Sequence, residues 1–135
     1  RAAAADPGKW VVLPEIISKE PLGPLVRHGD HQWGDVVRWS LNAMIIAEEL
    51  GVTSENVDAQ KSSNVPEVLR LLGVEGSYGE MLELAPDWAY QIIKQIGNYS
   101  ESYEANVGPD TPLEIARGLN ALWTQGGILY APPFR

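Results

Sequence analysis

The chain has 135 residues, 44% of them hydrophobic, and 10 Lys plus Arg against 18 Asp plus Glu leave a net charge of −8. That length suits a folded unit with a core, while the acidity repels phosphate backbones and anionic lipid and so argues against nucleic-acid binding or a basic membrane patch. The lack of cysteine removes disulfides, thiolate catalysis and thiolate metal sites, and no window approaches the roughly 20 apolar residues that span a bilayer.

Arg1 to Asp6 is an alanine-rich run closed by Asp6-Pro7-Gly8, which reads as a helix end and a turn. Trp10 to Ile17, rich in β-branched residues, and Leu22 to Arg27 predict two short strands joined by a polar, proline-marked link. Gly29-Asp30 then turns the chain, with Asp30 placed to cap the next helix. That helix carries Trp33, Val36, Val37, Leu41, Met44, Ile45 and Leu50 at three- and four-residue steps until Gly51.

Thr53 or Ser54 caps a short helix to about Gln60, and Lys61 to Asn64 is a polar loop. Asn64, Pro66 and Glu67 form a capping-box pattern before Leu69, Leu71, Leu72 and a stop at Gly73. A glycine-rich loop runs to Gly79, and Glu80 to Leu84 suits one helical turn. Pro86 opens a helix with Trp88, Ile92 and Ile96 on one stripe, widened by Ala89 and Ile93 and ended by Gly97 in a left-handed conformation. Tyr99 and Tyr103 stand at helical spacing before the break at Gly108-Pro109-Asp110. Thr111-Pro112-Leu113-Glu114 is the best marked start, a capping box opening a last helix with Ile115, Leu119, Leu122 and Trp123 on its apolar face. After Gly126-Gly127, the apolar Ile128 to Tyr130 cannot extend as a central strand because Pro132-Pro133 follows.

The one cluster of catalytic or metal-binding residue types is His28-Gly29-Asp30-His31. Metal sites gather three or more spaced ligands, so the favoured reading is a capped turn with two exposed histidines, and no metal or cofactor is expected. Ser18, Lys19 and Glu20 lie in the link between the two strands, as an exposed loop or as ligand contacts at a hinge. Of the five tryptophans, Trp33, Trp88 and Trp123 fall on apolar stripes and read as core or packing surface, with Trp39 the outlier. The glycines of 73–79 and 126–127 lack the Lys-Ser/Thr of a phosphate loop and read as stops and turns. Asn98-Tyr99-Ser100 satisfies a glycosylation pattern weakly.

The run LPEIISKEPLGPLVRHGD, followed by QWGDVVRWSLNAMIIAEELGVT, resembles the C-terminal third of periplasmic amino-acid-binding proteins of ABC importers, the general L-amino-acid-binding branch of solute-binding protein family 3. NVPEVLRLLG, the run from Asp87 to Gly127 and the terminal LYAPP resemble the helical extension of that branch, so the likeness covers almost the whole chain. It implies an α/β parent fold of the type II periplasmic-binding-protein kind, with this portion mostly helical and carrying two or three short strands near its start and end. Residues 1–21 would be the end of the second lobe and the interlobe crossover, 22–51 the return segment of the first lobe, and 52–135 a helical extension packed on that lobe.

The resemblance further implies a non-catalytic periplasmic protein that captures free L-amino acids and delivers them to a membrane permease. The arginine and aspartate that grip the ligand in such proteins would precede Arg1, so Ser18, Lys19 and Glu20 are the only interlobe candidates. This portion is expected not to bind amino acids alone, and to associate with the remainder of its protein or with another copy. The alternative is a free-standing helical interaction module without a transport role.

Overall fold

The computed structural model describes residues 3–15, 17 and 18, and 22–134. Its helices are α1 (His31–Glu49), α2 (Val57–Gln60), α3 (Pro66–Leu71), α4 (Tyr78–Met81), α5 (Trp88–Ile96) and α6 (Tyr99–Asn106), with 3₁₀ turns at Pro7–Lys9, Gly118–Asn120 and Trp123–Gln125.

α1 begins where the sequence places it. The Asp30 carboxylate accepts the Trp33 backbone N–H at 3.1 Å, and Gly51 at φ +65° lets the chain leave the helix. α1 packs on α3, α5 and α6, and α2 packs on α5. Full burial is concentrated toward the C-terminal end of α1, at Ala43, Ile45, Ile46 and Ala47, with Val36 and Trp39 packed against the core, whereas Trp33 and Leu41, expected on the apolar face, stay exposed. Val52, Val57, Val68, Leu71, Leu72, Ala89 and Ile93 complete the middle of the core.

Among the described residues the two expected strands do not form. Trp10 to Leu13 and Leu22 to Arg27 are outside any ladder, and the isolated bridge between Leu122 and Leu129 is the sole strand-like pairing among the described residues. Extended backbone becomes a strand only against a second edge, and Val11 to Leu13 make no backbone hydrogen bond to other described residues. Ile16 and Pro21, which belong to the same expectation, lie outside the described residues.

The expected capping box at Asn64 is also absent. The residue before proline is pushed to extended backbone, so Val65, at φ −95° and ψ 112°, becomes the boundary, and Glu67 pairs instead with Arg70 at 3.4 Å. A capping box does form at α6, where the Asn98 side chain accepts from the Glu101 N–H and the Glu101 carboxylate accepts from the Asn98 N–H.

The largest correction concerns the last helix. Thr111 Oγ accepts the Leu113 N–H and donates to the Gly108 carbonyl, Glu114 sits at φ +51°, and the Ile115 N–H donates to the Val107 carbonyl. The segment is thereby tied back to the end of α6 and irregular up to its 3₁₀ turn. Gly118 at φ +49° breaks the helical run, and Leu122 alone of the four proposed face residues is buried. Tertiary bonds override a helical propensity that is worth only tenths of a kcal/mol per residue (~0.5).

Candidate functional site

Ser18 is exposed, while Lys19 and Glu20 lie outside the described residues. His28, Asp30 and His31 share a surface depression with Arg27, Asp35 and Arg38, and all three are exposed. The Asp30 carboxylate is engaged by the Trp33 N–H, so the turn is a helix cap. Among the described residues no group of three or more His, Asp or Glu side chains is placed to hold a metal ion. Asn98 is buried, caps α6 and donates its amide to the Val52 carbonyl at 2.9 Å, which removes it from any modifying enzyme.

Three polar clusters organise the surface instead. Arg117 reaches back to α1, its guanidinium 3.0 and 3.1 Å from the two Glu48 carboxylate oxygens and 5.3 Å from the ring centroids of both Tyr99 and Tyr103. Glu101 accepts from the Ser54 hydroxyl at 2.6 Å and from the Ser54 N–H as well as from Asn98, tying the loop before α2 to α6. Asp58 on α2 accepts from Tyr90 at 2.8 Å and Lys94 at 2.7 Å on α5, while Lys61 lies 3.3 Å from the Tyr90 ring centroid. The hydrogen bond from Lys94, then that from Tyr90, holds the Asp58 carboxyl below its ordinary range. The same bonds raise Lys94 and Tyr90. Each cluster fastens distant parts of the chain to one another.

The most apolar depression is a cleft of about 370 Å³ at the C-terminal end, walled by Trp39, Tyr78, Met81, Leu82, Trp88 and the residues Pro132 to Phe134. Trp88 is in the core as its spacing suggests, but Trp39 is not an outlier, because it stacks on Phe134 at 5.3 Å between ring centroids. Trp33 and Trp123 are each 55% exposed, and the Trp123 indole N–H donates to Glu49 at 2.7 Å. Phe134 carries no periodic signal, being one aromatic residue after two prolines, which is why the sequence does not mark it as core.

No protein-family model matches the chain. The Escherichia coli protein YhdW, named as an amino-acid ABC transporter-binding protein, is 57% identical over 137 residues, covering 100% of this chain and 40% of its own length. The glutamate/glutamine/aspartate/asparagine-binding protein BztA of Rhodobacter capsulatus is 54% identical over 136 residues, and the general L-amino acid-binding periplasmic protein AapJ of Rhizobium johnstonii 54% over 137, each with the same coverage. A solved periplasmic binding protein of an ABC transporter from Brucella ovis, with glutathione bound, matches at 52% identity and a TM-score of 0.93 over 98% of this chain and 42% of that one. This helical assembly is therefore part of the periplasmic binding protein fold, and the chain spans about 40% of the length of the amino-acid-binding relatives it matches.

Proposed function

We propose that the chain serves the substrate-binding component of an amino-acid ABC importer, which captures free L-amino acids in the periplasm and hands them to a membrane permease. The observation that carries this reading is identity of 54–57% along the whole chain to proteins named for amino-acid binding or its transport. The activity is binding and delivery, not catalysis. Residues 1–21 belong in this reading to the second lobe and the crossover, 22–51 to the first lobe, and 52–135 to an extension packed on it. The exposed Val11 to Leu13 and the exposed Trp33 and Leu41 of α1 support that division, since they are apolar surfaces in need of a neighbour. Ligand contact by Ser18, Lys19 and Glu20 is part of the same proposal.

The two-lobed cleft then needs residues beyond this portion, and affinity belongs to the longer protein. Titration calorimetry separates the two: the full-length protein binds at least one of glutamate, glutamine, aspartate, a neutral amino acid or glutathione saturably, and the 135-residue chain binds none. Glutathione enters the panel because its γ-glutamyl end carries a free α-carboxylate and α-ammonium. Failure of the full-length protein to bind any of them would reject the transport reading, and micromolar binding by the short chain would reject the placement of the cleft.

A further inference from the structure

The cleft of about 370 Å³ is the space left beside Phe134 once that ring is seated. Phe134 stacks on Trp39 of α1 at 5.3 Å and on Tyr78 of α4 at 5.5 Å, and meets Trp88 of α5 edge-on at 6.1 Å. All four aromatic residues contribute to the wall, and Met81, which also lines it, is 77% exposed, so the space is open to solvent. No side chain of the wall is charged, and apart from the Met81 thioether their polar groups are the Tyr78 hydroxyl and two indole N–H donors. The volume suits a small molecule.

The charge nearby in sequence has one sign. From Leu71 to Ile93, the stretch that supplies Tyr78, Met81, Leu82 and Trp88, the chain carries Glu75, Glu80, Glu83 and Asp87 and no lysine or arginine. Glu80 and Glu83 flank Met81 and Leu82, are exposed, and make no ion pair or side-chain hydrogen bond among the described residues. Of the bases next to wall residues, Arg38 pairs with Asp35 at 3.6 Å and Arg135 lies outside the described residues.

Aromatic faces and carboxylates both attract a cation, whereas an anion would meet the field of the carboxylates. The scarcity of acceptors selects the kind of cation. A primary ammonium brings three N–H donors that this wall cannot satisfy, and stripping them of water without replacement is costly. A quaternary ammonium has no such donors, and its methyl groups suit apolar and aromatic walls.

We propose that this cleft binds a small quaternary ammonium ion of choline size, with Trp39, Tyr78, Trp88 and Met81 as its walls and Glu80 and Glu83 as the source of long-range attraction. Phe134 keeps its place. The proposal concerns a second ligand and does not rest on the transport reading.

The test titrates choline chloride into the full 135-residue chain at low ionic strength. Tryptophan fluorescence should change saturably, because Trp39 and Trp88 are in the wall, and calorimetry should give a matching Kd of about 1 mM or below. The uncharged analogue, in which a tert-butyl group replaces the trimethylammonium group, should bind about tenfold more weakly. Met81→Arg, which sets a like charge at an exposed position of the wall, should abolish choline binding while leaving the circular dichroism native. The double variant Glu80→Gln/Glu83→Gln should weaken it about threefold. No saturable binding of choline, equal binding of choline and its uncharged analogue, or full binding by Met81→Arg would each overturn the proposal; the first two outcomes need no variant to fold.

Discussion

The guanidinium of Arg117 and the carboxylate of Glu48 meet across 69 residues of sequence, with 16% and 9% of their side chains left in contact with water. Arg117 also donates to the Asn120 carbonyl through Nε and Nη2, so one side chain sets the path of the irregular segment that follows α6 and fixes it to α1.

Removing either partner strands a largely buried charge, the situation in which ion pairs matter most to stability. Arg117→Ala is expected to cost about 3 kcal/mol and Glu48→Gln about 2, read from urea denaturation midpoints at unchanged m-value. Arg117→Lys should not restore the loss, since an ammonium cannot reproduce the planar set of donors. A loss under about 0.5 kcal/mol for Arg117→Ala would mean that the pair only decorates the surface.

Glu101 combines a capping box with a tie to Ser54, and the two functions can be separated. Ser54→Ala removes the 2.6 Å hydroxyl bond and is expected to cost about 1 kcal/mol. Glu101→Ala removes the cap as well and should cost about 2 to 3. A double-mutant cycle should give a coupling of about 1 kcal/mol, and simple additivity would show that the hydroxyl bond contributes nothing.

The Asp58–Tyr90–Lys94 cluster makes a pH prediction of definite sign. Asp58 is depressed below its ordinary 3.8, so its contribution is present above that pH and is lost as pH falls through the lower folded value. Lys94 and Tyr90 are raised above 10.5 and 10.0, so theirs is present below those values and lost as pH rises through the folded ones. Thermal melts of the chain and of Asp58→Asn should therefore differ most between about pH 4 and pH 10 and converge toward both extremes. A melting difference that stays constant through the acid limb would remove Asp58 from the account.

The turn before α1 separates capping from chemistry. Asp30→Ala is expected to destabilise by about 1 kcal/mol through the lost bond to the Trp33 N–H. His28→Ala should leave stability within about 0.5 kcal/mol, as exposed substitutions do. Calorimetric unfolding of the two variants side by side checks both, and a large effect of His28→Ala would reopen the turn as a site.

Much of the helical order was legible because it rests on local signals: the aspartate cap of α1, proline at the start of α3, and the glycine stops at Gly51, Gly73 and Gly97, all at positive φ. The sequence misled where a local signal competed with a distant bond. Thr111-Pro112-Leu113-Glu114 has every mark of a helix start, yet Arg117 six residues on is claimed by Glu48, which no window of sequence can reveal. The strands at 10–17 and 22–27 were read from composition that is real, but pairing requires an edge supplied from elsewhere. The Phe134 anchor was invisible for a related reason, since its three aromatic partners lie 46 or more positions upstream.

The uncovered run from Val11 to Leu13 ties the colloidal behaviour of this chain to ionic strength. Free backbone edges rich in branched residues template cross-chain association, and in dilute buffer the charge of −8 keeps copies apart over a screening length of about 30 Å. At physiological salt that reach shrinks to about 8 Å, so the repulsion between copies weakens and self-association of this chain is expected to rise with ionic strength.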